Sequence, residues 1–304
     1  MIKDPTITVI GSINMDLVVS VNRRPEKGET IKGEMFTTMP GGKGANQAVS
    51  AARLGAKVCM IGMVGEDEFG NELKSKLQKE HINVEGVESI AGISTGVAVI
   101  TLADDDNSIV MISGANATVT PDYISKYEDL IANSDIVLTQ LEIPLEAVEK
   151  AADICQKHNV PFILNPAPAQ ELPRSLLNKV TFITPNQIEW ESIKADNKEI
   201  KKDKLIVTRG DEGVTFFEDE QDRRVSAFAI KPVDTTGAGD TFNGAFTYAI
   251  AKKDSLYRAC VFGSAAAALS ITQTGAQTGM PTKEDIDGFL KEWKAIQRGG
   301  ENNE

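Results

Sequence analysis

Hydrophobic positions along the chain fall into two alternating rhythms. Short, continuously apolar runs occur at residues 7–10, 58–63, 136–141, 162–164, 180–183 and 205–207, as expected of strands covered on both faces. Between the runs, apolar residues recur every three or four positions. Ala45, Ala48, Val49 and Ala52 make one such stripe, and Val148, Ala151, Ala152 and Cys155 another; each describes a helix with one buried face. Strands alternating with helices predict an α/β fold with three αβα layers, a Rossmann-like, mostly parallel sheet between helices.

Two segments break the rhythm. Residues 16–39 hold a strand-like run at 17–21 and a turn at Pro25-Glu-Lys-Gly28, with no helix. Residues 95–112 read as a hairpin, because Val97, Val99 and Thr101 alternate with small or apolar residues before the acidic turn at 104–107, a solvated tip. Hairpins inserted in such a sheet belong at its edge, where they can pair with each other. The expectation is a small β lid (16–39 and 95–112) on a main α/β domain (1–15, 40–94 and 113–304). The lid's outer face is expected to be the contact of a homodimer, since open sheet edges and apolar faces seek partners. The last 70 residues or so predict helices near 239–251, 257–272 and 283–296, with small residues at 263–268 for close packing and a disordered tail at 298–304.

Composition narrows the partners. The 304 residues, 41% hydrophobic and 25% charged, describe an ordinary globular protein. A net charge of −12 argues against nucleic acid or an anionic membrane as a main partner. It leaves small anions open, because local N–H groups hold phosphate on acidic proteins too. Cys59, Cys155 and Cys260 are odd in number and lie in apolar segments, which suits reduced, buried thiols and a cytoplasmic location. There is no Cys/His cluster for a transition metal, no signal-peptide core, and no apolar run approaching 18 residues.

The most informative stretch is Asp234-Thr-Thr-Gly-Ala-Gly-Asp240, which leads into an apolar-periodic run. Gly237, Ala238 and Gly239 let N–H groups crowd together at a helix start, and so make an anion pocket. A carboxylate beside it suits a base that takes a proton from a hydroxyl while the N–H groups hold a phosphoryl group. The same residues would also fit an N-cap after a tight turn.

Gly11-Ser-Ile-Asn14-Met-Asp16 follows the first strand, where ligands of α/β sheets bind. Asn14 and Asp16 suit a vicinal diol, or an Asx-turn. Pro40-Gly-Gly-Lys43-Gly-Ala-Asn46 opens a helix without the Gly-x4-Gly-Lys-Ser/Thr spacing. Lys43 and Asn46 offer hydrogen-bonding groups there, or Lys43 simply faces solvent. Glu142 at a strand end can accept a sugar hydroxyl or decorate a helix start. Asn186 and Glu189, three apart, can hold water around Mg²⁺. Thr208-Arg-Gly210-Asp-Glu-Gly213 is a tight turn along which a nucleotide could lie.

In this order, over nearly the whole chain, these segments resemble the ribokinase/PfkB-type carbohydrate kinase family, which also holds fructokinases and adenosine kinases. Gly41-Gly-Lys-Gly-Ala-Asn46 and Asp234 to Asp240 match its two signatures. The opening motif, Gln140-Leu-Glu142, Asn165-Pro-Ala-Pro-Ala169 and Gly275-Ala-Gln277 are similar to its ribokinase branch. The resemblance implies ATP-dependent phosphorylation of D-ribose at O5 to D-ribose 5-phosphate. Asp240 would be the base and Gly237, Ala238 and Gly239 the anion hole. Asn14, Asp16, Gly42, Lys43, Asn46 and Glu142 would hold the sugar. Asn186, Thr208, Arg209, Gly210, Asp211, Glu212, Gly213, Gly239 and Ser264 would line the nucleotide site, with Asn186 and Glu189 organising Mg²⁺ through water. A monovalent cation, K⁺ in most relatives, would sit among Asp234, Thr236, Ser270, Gln273, Gly275 and Gly279. Gln273, Gly279 and Ser264 depart from the residues usual there. Alternatives are a kinase for 2-deoxyribose, fructose or adenosine, or a non-catalytic sugar sensor. The largest departure is at 190–204, 15 positions where the family generally has a further amphipathic helix. Its loss is expected to uncover one flank of the fold and to lower stability or invite a partner.

Overall fold

The computed structural model describes residues 4–103, 106–196 and 200–300. In chain order, the first half comprises β1 (Thr6–Ile10), β2 (Asn14–Ser20), β3 (Met35–Gly41), α1 (Lys43–Arg53), β4 (Lys57–Gly65), α2 (Glu68–Lys79), β5 (Asn83–Ile90), β6 (Gly96–Ala103), β7 (Asp106–Ile112), α3 (Pro121–Lys126), α4 (Glu128–Ala132) and β8 (Ile136–Thr139). The second half comprises α5 (Leu145–His158), β9 (Phe162–Leu164), α6 (Arg174–Lys179), β10 (Phe182–Ile183), α7 (Gln187–Asp196), β11 (Ile206–Thr208), β12 (Val214–Glu218), β13 (Gln221–Val225), α8 (Ala238–Ala251), α9 (Leu256–Ser270) and α10 (Lys283–Gly300).

Six strands in the order β10-β9-β8-β1-β4-β5 form the central sheet, and every pairing in it is parallel. Side chains alternate across it. Ile7 and Val9 face a core shared with α1, α8 and α9, and Ile10 faces a core shared with α3 and α5. The chain leaves β1 for β4 on one side and later returns through β8 on the other, so a crevice opens beyond the carboxyl ends of β1 and β8. Small residues tighten one helix layer around that crevice. A Cβ on Gly44 of α1 would lie 2.6 Å from the Gly11 carbonyl carbon, and one on Gly263 of α9 would lie 2.9 Å from the Phe242 ring.

The two inserted segments do pair with each other. They form a separate four-stranded sheet, β3-β2-β6-β7, with β2 parallel to β6 and the outer pairs antiparallel. Its strands reach back to Asn14 and forward to Gly41, beyond the 16–39 limits. Asp67 caps α2 through Gly70 N (2.8 Å) and also accepts from Thr95 N (2.7 Å), which anchors the start of β6 to the main body.

Several expectations need correction. The run at 205–207 belongs to a second small sheet, β11-β12-β13, joined to the end of the main sheet by the bridges Ile183↔Leu205 and Asn186↔Thr208. The run at 180–183 yields two strand residues; β5 and β13 are interrupted by charge and were not read as strands, and neither was β12, the short run Val-Thr-Phe-Phe-Glu. Residues 298–300 continue α10 rather than starting a tail; 301–304 lie outside the described residues, as do 104–105 of the hairpin tip. Near the flank expected to be bare, a cleft of ≈ 590 Å³ is lined by Trp190, Leu205, Val207 and Phe217 among others; 197–199 of the short segment are outside the described residues.

Candidate active site

Two helix starts meet beyond β1. Asp240 is the third residue of α8, whose N-cap is Gly237 at φ 78°, a left-handed conformation open to glycine. Asp240 is therefore not the N-cap, and its carboxylate caps nothing. Instead Asn46 Nδ2 donates to its Oδ2 at 2.9 Å and Gln47 Nε2 donates to its Oδ1 at 2.9 Å, both from the second turn of α1. These bonds require α1 and α8 to lie close, which Gly244 permits: a Cβ there would sit 2.7 Å from the Gln47 carbonyl oxygen. Ser50 Oγ then bonds the Thr241 carbonyl oxygen at 3.0 Å.

The N–H groups ahead of Asp240 are partly free. Ala238 N donates to the Thr235 carbonyl at 3.2 Å, so that member of the expected anion hole is engaged. Gly239 N and Asp240 N donate to no carbonyl among the described residues, as first-turn helix amides do when a ligand is to take them. A pocket of ≈ 230 Å³ joins Gly237, Gly239 and Asp240 to Lys43, Asn165, Thr184, Asn186, Glu189, Thr208 and Asn243.

On the sugar side, Glu142 Oε2 accepts from Ser12 Oγ (2.6 Å) and Lys43 N (3.2 Å), so it is fixed at the start of α1. Asn14 Oδ1 accepts from Asn116 Nδ2 at 2.6 Å. Asn116 thus orients Asn14 and leaves its NH₂ for a ligand, a role no sequence motif announced. Gly42, at φ 87°, passes so near Asn14 that a Cβ would lie 2.7 Å from its backbone nitrogen. Asp16 lines a larger cavity of ≈ 860 Å³, between the four-stranded sheet and residues such as Asp234 and Gly275. Burial, with help from Glu142 and Asp240 and against the pull of Lys43, pushes the Asp16 carboxyl up to about 7. Lys43 is shifted upward chiefly by the charge of Asp240, which outweighs its burial.

Asn186 and Glu189 form a reciprocal capping box at the start of α7. Asn186 N and Nδ2 donate to Glu189 (2.7 and 2.8 Å), and Glu189 N donates back to Asn186 Oδ1 at 2.8 Å. Burial, opposed by the Asn186 bond and by Lys43, raises the Glu189 carboxyl above its usual range. No cluster of three or more acidic, His or Cys ligands exists among the described residues. The donors present fit Mg²⁺ held through water and substrate phosphate, a cation that keeps much of its hydration.

The nucleotide turn closes through Arg209 N to Gly213 O at 2.7 Å, with Asp211 and Glu212 exposed at its tip. The Arg209 side chain leaves the site: its Nε meets Thr215 Oγ1 at 3.3 Å, in the cleft beside Trp190. Ser264 is buried with its hydroxyl unpaired, so it faces packing rather than an open groove. Near Gly275, Asp234 accepts from Thr236 N (2.9 Å) and Gly275 N (2.8 Å). These bonds hold its carboxyl below the usual range even though burial acts to raise it. Gly279 passes tightly against Ser270 O, whereas Gln273 is exposed.

The sequence profile of the pfkB family carbohydrate kinases matches residues 4–283. Ribokinase of Bacillus subtilis is 43% identical over 289 residues, covering 93% of this chain and 99% of that protein. Ribokinase of Haemophilus influenzae is 41% identical over 301 residues, covering 94% and 98%. Among solved structures, Arabidopsis thaliana ribokinase complexed with ribose and ATP matches with a TM-score of 0.87 at 32% identity, over 95% of this chain and 99% of that one.

Proposed function

This chain belongs to the pfkB family of carbohydrate kinases, and on that basis we propose that it transfers the γ-phosphoryl group of ATP to O5 of D-ribose. The products are D-ribose 5-phosphate and ADP. One observation carries the reading most: a buried carboxylate, held by two amides, beside the open N–H groups of Gly239 and Asp240. Asp240 accepts the O5 proton as the phosphoryl group moves, while those N–H groups and Lys43 balance the charge that develops. Each oxygen of Asp240 keeps a lone pair after its amide bond, so a hydroxyl can still be received.

Asn14, Asp16, Lys43, Asn46 and Glu142 hold the sugar, with Gly42 admitting it close to backbone. Thr208, Gly210 and Gly213 carry the nucleotide along their backbone. Asn186 and Glu189 hold Mg²⁺ through water, and the ion supplies charge neutralisation on the phosphates. Asp234, Thr236, Ser270, Gly275 and Gly279 take K⁺ or a similar ion. The four-stranded sheet acts as a lid that excludes water. The exposed apolar residues on its outer face, Phe36 (64% exposed), Val110 (63%) and Ile112 (44%) among them, are the contact of a homodimer. Unpaired Cys59, Cys155 and Cys260 suit a reducing cytoplasm, and no described helix is long and apolar enough to cross a membrane.

The apolar side of the larger cavity, Val18, Met39, Ile100 and Leu102, keeps a nucleoside in contention as acceptor. An ATP-consumption assay over ribose, 2-deoxyribose, fructose and adenosine, with and without K⁺, decides among them. Fastest turnover on ribose, stimulated by K⁺, is expected. Preference for adenosine would replace ribose as substrate, and no turnover on any sugar would favour a sensor.

A further inference from the structure

Beneath the carboxylate of Asp240 lies a chain of buried amides that no substrate contact explains. Gln47 and Gln140 are both fully buried. Gln140 Nε2 donates to Gln47 Oε1 at 2.6 Å. Gln47 Nε2 in turn donates to Asp240 Oδ1 at 2.9 Å and to Asn165 Oδ1 at 3.0 Å. Asn165 is itself oriented by the Thr184 carbonyl, to which its Nδ2 donates at 3.0 Å.

The direction of this chain is forced. Were the Gln47 amide turned over, its oxygen would face the Asp240 carboxylate and the Asn165 oxygen, while its nitrogen would face the Gln140 nitrogen. Acceptor would meet acceptor and donor would meet donor. The Asp240 carboxylate, which can only accept, excludes that state, and the Gln47 oxygen that then points away from it is satisfied by Gln140. Gln140 stands just past β8, packed so tightly against Gly11 that even a Cβ on Gly11 would overlap its amide. A polar group that deep is costly unless paired, and one atom, Gln140 Oε1, does go unpaired.

We infer that Gln47 is a positioning residue for the transfer reaction and that Gln140, by donating to the Gln47 oxygen, holds its amide in place. Gln47 fixes the plane of the Asp240 carboxylate before substrate arrives, and Asn46 holds the opposite oxygen from the sugar side. Hydrogen bonds already formed need no reorganisation when the hydroxyl proton moves. Asn46 Oδ1 accepts from Gln277 Nε2 at 2.9 Å, so Asn46 has a separate anchor. The Gln140–Gln47 chain therefore reaches Asp240, and Asn165 beside it, without passing through Asn46.

The inference rests on Asp240 being the base, and a double-mutant cycle separates the two ideas. Gln47→Met and Gln140→Met are made in the natural enzyme and in the Asp240→Asn background. kcat, KM for ribose and ATP, and thermal unfolding are measured for each. Gln47→Met should lower kcat roughly 10- to 100-fold, with KM moved less than about 3-fold. In the Asp240→Asn background it should change kcat by less than about 2-fold. An equal kcat loss in both backgrounds, or KM moving as far as kcat, overturns the role of Gln47 and leaves Asp240 as base. Full turnover by Asp240→Asn alone overturns both. If Gln47→Met yields no folded protein, Gln140→Met carries the test. A loss of roughly 3- to 10-fold confined to the natural background supports the inference; no loss, or equal losses, ends it.

Discussion

Around Asp240, side chains from α1, α8 and the ends of β8 and β9 lock one another through buried amides. Across the larger cavity, β7 is exposed at all seven of its residues. The two regions meet different demands. Where charge moves, dipoles must already point the right way, and a buried network supplies that at a cost in polar burial. A sheet that acts as the proposed lid has to let a sugar enter and then shut water out. Its exposed outer face is the surface proposed above for a homodimer.

Substitutions sharpen this contrast, and the largest effect is expected on the rigid side. A Cβ at Gly237 would lie 2.7 Å from the Ala276 carbonyl oxygen, at φ 78°. Gly237→Ala should lower kcat on the order of 100-fold and stability by about 1–3 kcal/mol. Gly239→Ala meets nothing within 4 Å, so it should fold normally and mainly raise KM for ATP. Steady-state kinetics with thermal unfolding tests the pair.

On the exposed sheet, Phe36→Asp with Val110→Asp should weaken the proposed self-association roughly 100-fold while leaving thermal unfolding of the single chain little changed. Sedimentation over a concentration series reads this, and an unaltered assembly would move the interface elsewhere.

Asp16 lies between the two regions. With its carboxyl at about 7, ribose affinity should fall about 10-fold from about pH 8 to about pH 6, because the protonated acid no longer accepts from a diol. The same raised value means that the group's contribution to stability is full below the unfolded carboxylate range and lost as pH rises through about 7. The unliganded protein should thus lose stability over the interval in which it gains affinity, and Asp16→Asn should flatten both trends. Titration calorimetry and unfolding across pH check them. The smallest effect belongs to Ser264→Ala, which removes an unpaired buried hydroxyl. It should alter stability by less than about 0.5 kcal/mol and KM for ATP by less than about 2-fold.

How much was legible follows the same division. The inner strands of the parallel sheet were readable because both faces are buried and the runs are continuously apolar, as at Phe162–Leu164, whereas its edge strand β5 is only partly buried and was missed. β13, reading Gln-Asp-Arg-Arg-Val, is exposed over four of five residues and carried no such pattern. Asp240 and Lys43 stood out because charged groups sit among glycines at helix starts, and Glu142 because it ends an apolar strand run. Gln47 and Asn116 could not. An amide inside an Ala-rich helix or a polar turn gives no local sign of the partner, here Asp240 or Asn14, that it meets far along the chain. One sign was available: Gln47 follows Asn46 directly, a second amide on a helix that was otherwise small and apolar. Arg209 and Ser264 show the converse, since a motif fixes backbone position and leaves side-chain direction to neighbours such as Thr215.

The central claim is that the Asp240 carboxylate receives the acceptor hydroxyl while Gly239 and Asp240 N–H groups hold the moving phosphoryl group. A structure with ribose and a non-hydrolysable ATP analogue tests it most directly. The account predicts ribose O5 within about 3.2 Å of an Asp240 oxygen, with the terminal phosphoryl group on those N–H groups and the Asn46 and Gln47 bonds kept. A different hydroxyl turned toward Asp240, or a phosphoryl group bound away from the start of α8, would contradict it.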